Sequence, residues 1–371
     1  MRKNIFILIS IIVVLASCAE EKILERISLV TLMGYDTAPE KEVTVTATIR
    51  TINQDFESVI ITKSETDITS RGIRNKVNAN TSKKLMVGQL RVVLIGRELA
   101  EKGIAEVLHT LMMDTEITNS VFFAVVDGDT KSLIQTKYEN ITDIGQHVFN
   151  LIDHNIKQEL MVSSTLHEVA RDYYSPIRSI IMPIVKHEGK EKIELDGIAV
   201  FEEDRWVGEY SFDDIFYVKM ILDNYQAGGV QLELEGNTIS SNNGSPEVLP
   251  IALDSIKSKR KIQLVNPDTP EFNLTIDVEC RLLETHSTIN ISDPEILIKL
   301  EDEIGKKMES ELSRVISYSQ EMNSDLFGFG EIYNASVRNL NLDAEKSQEF
   351  YPKMKVNTKV NVTIARDGVF E

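Results

Sequence analysis

Cysteine is nearly absent: the 371-residue chain has two, Cys18 and Cys280. With one of them committed to a modification described below, neither an intramolecular disulfide nor a cysteine-based zinc site can be built. Tryptophan occurs once, as Trp206, and aromatic residues make up only 6% of the chain. That is thin material for a ligand pocket lined by aromatic rings. Cationic residues are also short, with 40 Lys and Arg against 58 Asp and Glu and a net charge of −18. Nucleic-acid recognition needs a basic footprint, and adhesion to anionic lipid needs a basic patch; the composition disfavours both. Beyond Ala16 no apolar run approaches the ~20 residues of a membrane-spanning helix. What remains, 42% hydrophobic and 26% charged, is ordinary globular composition with enough material for a core.

The N-terminus is the first informative segment. Arg2 and Lys3 precede an apolar run from Ile5 to Ala16 broken only by Ser10. This is a basic region and a short hydrophobic region of a secretory leader. Leu15-Ala16-Ser17-Cys18 follows at once, an aliphatic residue, two small residues and a thiol. Small residues give a peptidase access to the backbone, and only a thiol can take a diacylglyceryl group. The expectation is a lipoprotein: residues 1–17 a removed signal peptide, Cys18 the site of lipid attachment with its palmitoyl-type chains, and residues 18–26 a short tether. Two acyl chains, at ~0.8 kcal/mol per buried CH₂, hold a membrane durably. Loss of Arg2 and Lys3 leaves the mature chain more acidic still.

The body reads as α+β, with mixed or antiparallel sheets, packed helices and two regions. In the first, residues 27–190, strands are expected at Arg26 to Asp36 and Val43 to Ile52, where Val43, Val45, Ala47 and Ile49 alternate with threonines. Glu65 to Asn80 is polar and leans helical. Leu90 to Ile95 reads as a strand, Glu98 to Met112 as a helix, and Asp143 to Leu160 as another. The unbroken apolar run Val121 to Val126 fits a strand covered on both faces. Lys186 to Glu194 reads as a linker or hairpin between regions with separate cores. The second region, residues 195–371, carries the clearest pattern. Asp293-Pro294-Glu295 opens a long amphipathic helix with an N-cap, a proline at the first position and an acid at the positive dipole end. Leu297, Leu300, Ile304, Met308, Leu312, Val315 and Ile316 form its apolar stripe. From Phe272 to Leu282 every even position is apolar, a strand that buries Cys280. Met354, Val356, Thr358, Val360, Val362 and Ile364 supply a second one-sided face.

A search for chemistry finds little. His167-Glu168 meets Arg171 where a zinc protease needs a second histidine. His147 and His154 share a helix face but lie two turns, ~10 Å, apart, too far to share an ion without other ligands. Asp127-Gly128-Asp129 resembles the start of a calcium loop, yet Tyr138 stands at the twelfth position, so a turn is the better reading. Gly328-Phe329-Gly330 lacks a third glycine and reads as a loop whose Phe327 and Phe329 plug a core edge. No nucleophile elbow or phosphate loop occurs. No residue is assigned to catalysis, to a cofactor or to a metal.

Several segments together resemble the spore germinant-receptor C-subunit family. They are Ile27 to Asp36 with its terminal Gly34-Tyr35-Asp36, Lys84 to Gly96 followed by Glu98 to Ile104, and Asp196 to Phe201 with Val207-Gly208. Most specific is the pairing of Ser292-Asp293-Pro294-Glu295 with Ser324-Asp325-Leu326-Phe327-Gly328-Phe329-Gly330-Glu331. The chain departs from the family at Ala19 and Glu20, where Trp often follows the lipidated cysteine, at Gln89, where His is common, and at Met113-Asp114-Thr115-Glu116. The resemblance implies a multi-domain α+β lipoprotein on the outer face of the spore inner membrane. It also implies work with membrane-embedded A and B subunits in germination, by assembly or signal relay and without catalysis. The competing expectation is an extracytoplasmic solute-binding lipoprotein that captures a small ligand between two lobes. A cell-envelope hydrolase is the third, and it lacks a recognisable nucleophile and base.

Overall fold

The computed structural model describes residues 27–52, 57–81, 83–235, 248–285, 293–338 and 340–365. Two sheets organise them. The first has nine strands: β1 (Ile27–Thr37), β2 (Val43–Ile52), β3 (Ser58–Asp67), β4 (Lys84–Met86), β5 (Val92–Gly96), β6 (Phe122–Val126), β7 (Ile181–Glu188), β8 (Lys192–Glu202) and β9 (Arg205–Ser211). Their order is β3-β2-β1-β5-β6-β7-β8-β9, with β4 also paired to β1. β1, β5, β6 and β7 run parallel, and antiparallel strands flank them on both sides. The second sheet is β10 (Val230–Glu235), β11 (Val248–Asn266), β12 (Glu271–Glu284) and β13 (Lys355–Ile364), in that order.

The central strands are buried on both faces, which is why they read as apolar runs without alternation. Val92 and Leu94 of β5 join one buried cluster while Val93 and Ile95 join the other. On the second face lie α1 (Ser70–Ala79), α2 (Arg97–Lys102), α3 (Ala105–Met112) and α6 (Leu166–Tyr174). On the first lie α4 (Thr130–Gln135), α5 (Ile144–Lys157), α7 (Ile215–Leu222) and the 28-residue α8 (Pro294–Glu321). Beyond these come α9 (Phe329–Ser336) and α10 (Ala344–Phe350). Helix α8 packs between the two sheets, and every residue of its expected stripe is buried. Asp293 caps it through the Glu295 amide at 2.9 Å. Across from it, β12 buries Phe272, Leu274, Ile276, Val278, Cys280 and Leu282 on the facing side. The α+β class and the long helix are as the sequence indicates.

Three local expectations need correction. Glu65 to Asp67 is not helical; it ends β3, whose pairing with β2 along its whole length outweighs the weak local helix preference. The single helix from Glu98 to Met112 is two, because Gly103 takes φ +131° and the Ile104 amide turns to the Asp204 carbonyl at 3.0 Å. Of the two readings of Lys186 to Glu194 the hairpin holds, with Lys186 opposite Glu194, but it lies inside the first sheet and does not divide two cores. The cores do not separate there: one apolar cluster runs from Leu32 to Ile364 and takes residues from both sheets. Across it, Tyr210 of β9 donates to the Val315 carbonyl of α8 at 2.6 Å.

Candidate functional site

Cys18, Ala19 and Glu20 lie outside the described residues. The described residues begin with β1, at Ile27. The N-terminal ends of the parallel strands β1, β5, β6 and β7 share one edge of the sheet. The same edge carries the 175–179 loop before β7 and the β8–β9 turn. These segments, with Asn323, Asp325 and α10, enclose a surface cleft of about 440 Å³.

The cleft is built by the motif that follows α8. Asp325 is buried, and its carboxylate accepts from the amides of Gly328 at 2.8 Å, Phe329 at 3.1 Å and Gly330 at 2.6 Å. Gly328 adopts φ +77°, which glycine alone takes without strain, and so starts α9. At Gly330 a Cβ would run into the Ile177 side chain, so the turn can press against the loop before β7. Arg178 of that loop binds Glu331 at 2.8 Å and approaches Asp172 at 3.8 Å, while Arg171 binds Asp172 at 2.8 Å. Phe327 and Phe329 do plug the core, 2% and 0% exposed, but Phe329 opens a helix and not a loop. Burial pushes the Asp325 carboxyl up to about 6, against the pull of its three amide donors and Arg178. Among the described residues Arg178 is the single cation lining the cleft, and no histidine, cysteine or lysine lines it. The cleft therefore presents polar groups but no paired nucleophile and base. Arg178 and Asp172 escaped sequence reading, since their partners become neighbours only in the fold.

The Gly34-Tyr35-Asp36 segment forms a second clamp of the same kind. Asp36, at the end of β1, accepts from Thr130 Oγ1 at 2.7 Å and from the amides of Thr130 at 2.8 Å and Lys131 at 3.0 Å. Burial raises its pKa although those donors oppose the shift. A Cβ at Gly34 would collide with Thr130, so the close approach of α4 needs glycine there. Both motif carboxylates are thus spent holding chain segments together.

Other candidates resolve into structural roles. Cys280 is buried and its thiol is pushed up to about 12, mainly by burial, which leaves no reactive thiolate near neutrality. His147 and His154 sit on α5, half-buried and exposed respectively, and burial lowers the His147 pKa. Asp127-Gly128-Asp129 is a turn after β6 in which Asp129 caps α4 through the Ser132 amide. Glu168 completes a capping box with Thr165 at the start of α6, a pattern readable in Thr165-x-x-Glu168. Burial raises its pKa, but bonds from Ser163 and Thr165 and the charge of Arg171 leave it below the usual range. Gln89 and Met113, two of the departures, are exposed. Among the described residues no cluster of ligating side chains could hold a metal ion, and no helix is long and apolar enough to cross a membrane.

Comparison with known proteins agrees with the motifs. The profile described as spore germination protein N-terminal domain matches residues 20–187, and that of the spore germination B3/GerAC-like C-terminal domain matches residues 196–368. Spore germination protein GerQC of Bacillus cereus is 25% identical over 368 residues, covering 99% of both chains. Spore germination protein KC of Bacillus subtilis is 22% identical over 317 residues, 79% of this chain and 75% of that protein. The crystal structure of the GerBC protein has the same fold, with a TM-score of 0.53 at 16% identity, covering 90% of this chain and 97% of that one. With both domains matched in order along nearly its full length, the chain belongs to the germinant-receptor C-subunit family of spore germination proteins.

Proposed function

We propose that this chain is the lipid-anchored C subunit of a nutrient germinant receptor, acting in spore germination by assembly or signal relay with membrane-embedded A and B subunits. The carrying observation is the full-length likeness to GerQC, and the sequence Leu15-Ala16-Ser17-Cys18 ahead of the body supports the anchor. Residues 1–17 are then a signal peptide, and Cys18 carries the lipid on the outer face of the spore inner membrane. About nine tether residues reach at most ~30 Å, so the body stays close to the bilayer and to any membrane-embedded partner. Confinement to that layer raises the local concentration and lets weak contacts persist. The motif carboxylates Asp36 and Asp325 being structural, no catalytic role is assigned. Capture of a solute between two lobes fits less well, because one apolar cluster runs through both regions and stiffens the junction where lobes would hinge.

Labelling with radioactive palmitate tests the anchor. Wild-type protein should take up label, whereas Cys18→Ser should remain an unlabelled, unprocessed precursor. Equal labelling of the two would contradict the assignment.

A further inference from the structure

The two outer edges of the second sheet are treated differently. An outer strand offers unpaired amides and carbonyls to any passing chain, and folded proteins usually blunt such edges. At β13 this is done by α8. Glu309 accepts from the Val360 amide at 2.9 Å and Glu301 from the Ile364 amide at 2.8 Å. Ser313 bonds Thr358 at 2.8 Å. Between them Gly305 lets the helix approach until a Cβ would stand 3.0 Å from the Val360 carbonyl. Glu301, Gly305, Glu309 and Ser313 recur every four residues, so one helical stripe seals one strand edge.

β10, at the opposite end, also lies near α8, but among the described residues the helix makes no hydrogen bond to its backbone. It pairs with β11 on one side only, from Val230 opposite Leu253 to Glu235 opposite Val248. Among the described residues, the backbone of Gln231 to Leu234 makes no hydrogen bond outside that ladder. Its residues line an open groove of about 890 Å³ whose far wall is Phe212, Asp213 and Tyr217. The four residues Gln231 to Leu234 give ~13 Å of edge. Phe212 and Leu160 in the wall are exposed, at 41% and 37%.

Charge identifies the occupant. The groove's cations, Lys307 and Arg314, are already engaged by Glu311 at 3.0 and 2.7 Å, and Arg314 also by Asp214. Asp213, Glu233 and Glu284 line the groove with no cationic partner among the described residues. At the groove's end the Thr285 hydroxyl is buried with no hydrogen-bond partner among the described residues.

We propose that this groove takes an extended, Lys- or Arg-bearing segment of a partner protein as a fifth strand beside β10. Backbone bonds to β10 supply the attachment. Alternate side chains divide between the wall of Phe212 and Leu160 and the sheet-borne carboxylates of Glu233 and Glu284, as strand geometry requires. The proposal is independent of the lipid anchor and of the receptor assignment.

The full chain in detergent can be titrated with a capped octapeptide of alternating Lys and Val, and with its Glu–Val counterpart. Amide exchange and peptide anisotropy are the readouts. The Lys–Val peptide should slow exchange in β10 but not in β13. The double variant Glu233→Lys/Glu284→Lys should weaken its binding about tenfold at low salt while leaving exchange in α8 unchanged. Absence of protection in β10, or equal binding of both peptides, would overturn the proposal. So would β10 protection that grows with protein concentration in the absence of peptide, which assigns the edge to a second copy.

Discussion

Asp325 shows what one side chain does at the junction. Its carboxyl titrates near 6 in the folded chain, because burial outweighs the three amide donors, against about 3.9 when unfolded. Between those values the folded state binds more protons than the unfolded one, so this group's contribution to stability falls as pH rises from 4 to 6. The separation corresponds to about 3 kcal/mol. Asp325→Asn cannot titrate. The stability of the wild type relative to this variant should therefore shrink by up to that amount between pH 4 and 7 in chemical denaturation. Parallel pH profiles would show that Asp325 does not hold its proton in the fold. The resemblance brought Asp325 and Asp36 to notice, but their clamping role was not legible in the sequence. Asp36 meets Thr130 across 94 residues and Arg178 meets Glu331 across 153, separations that no local pattern encodes.

At the scale of elements, legibility followed one-sided burial. Helix α8 and strand β12 each bury one face against the same cluster, so periods of 3.6 and 2 stand out, and their burial matches position by position. Elements whose identity rests on partners were harder to see. β3 is polar and joins the sheet by pairing with β2, and the break at Gly103 depends on the Asp204 turn. The seal between α8 and β13 is of this second kind and can be tested directly. Gly305→Leu would force the helix away from the Val360 carbonyl and pull Glu309 and Glu301 off their amides. The expected loss is about 1–3 kcal/mol, with faster amide exchange at Val360 and Ile364 than in β11. Unchanged exchange in β13 would show that the helix does not guard that edge.

For the whole molecule, the hairpin Lys186 to Glu194 and the shared apolar cluster join the two family domains into one body. In such a body a displacement at one sheet reaches the other through α8, which is what the proposed relay role requires. The direct measurement is germination of spores lacking only this gene, exposed to the full nutrient range with a non-nutrient trigger as control. The expected result is loss of the response to the nutrients of one receptor, restored by the intact gene, with the non-nutrient response unchanged. Normal germination on every nutrient, in a strain without a paralogue, would contradict the receptor-subunit function.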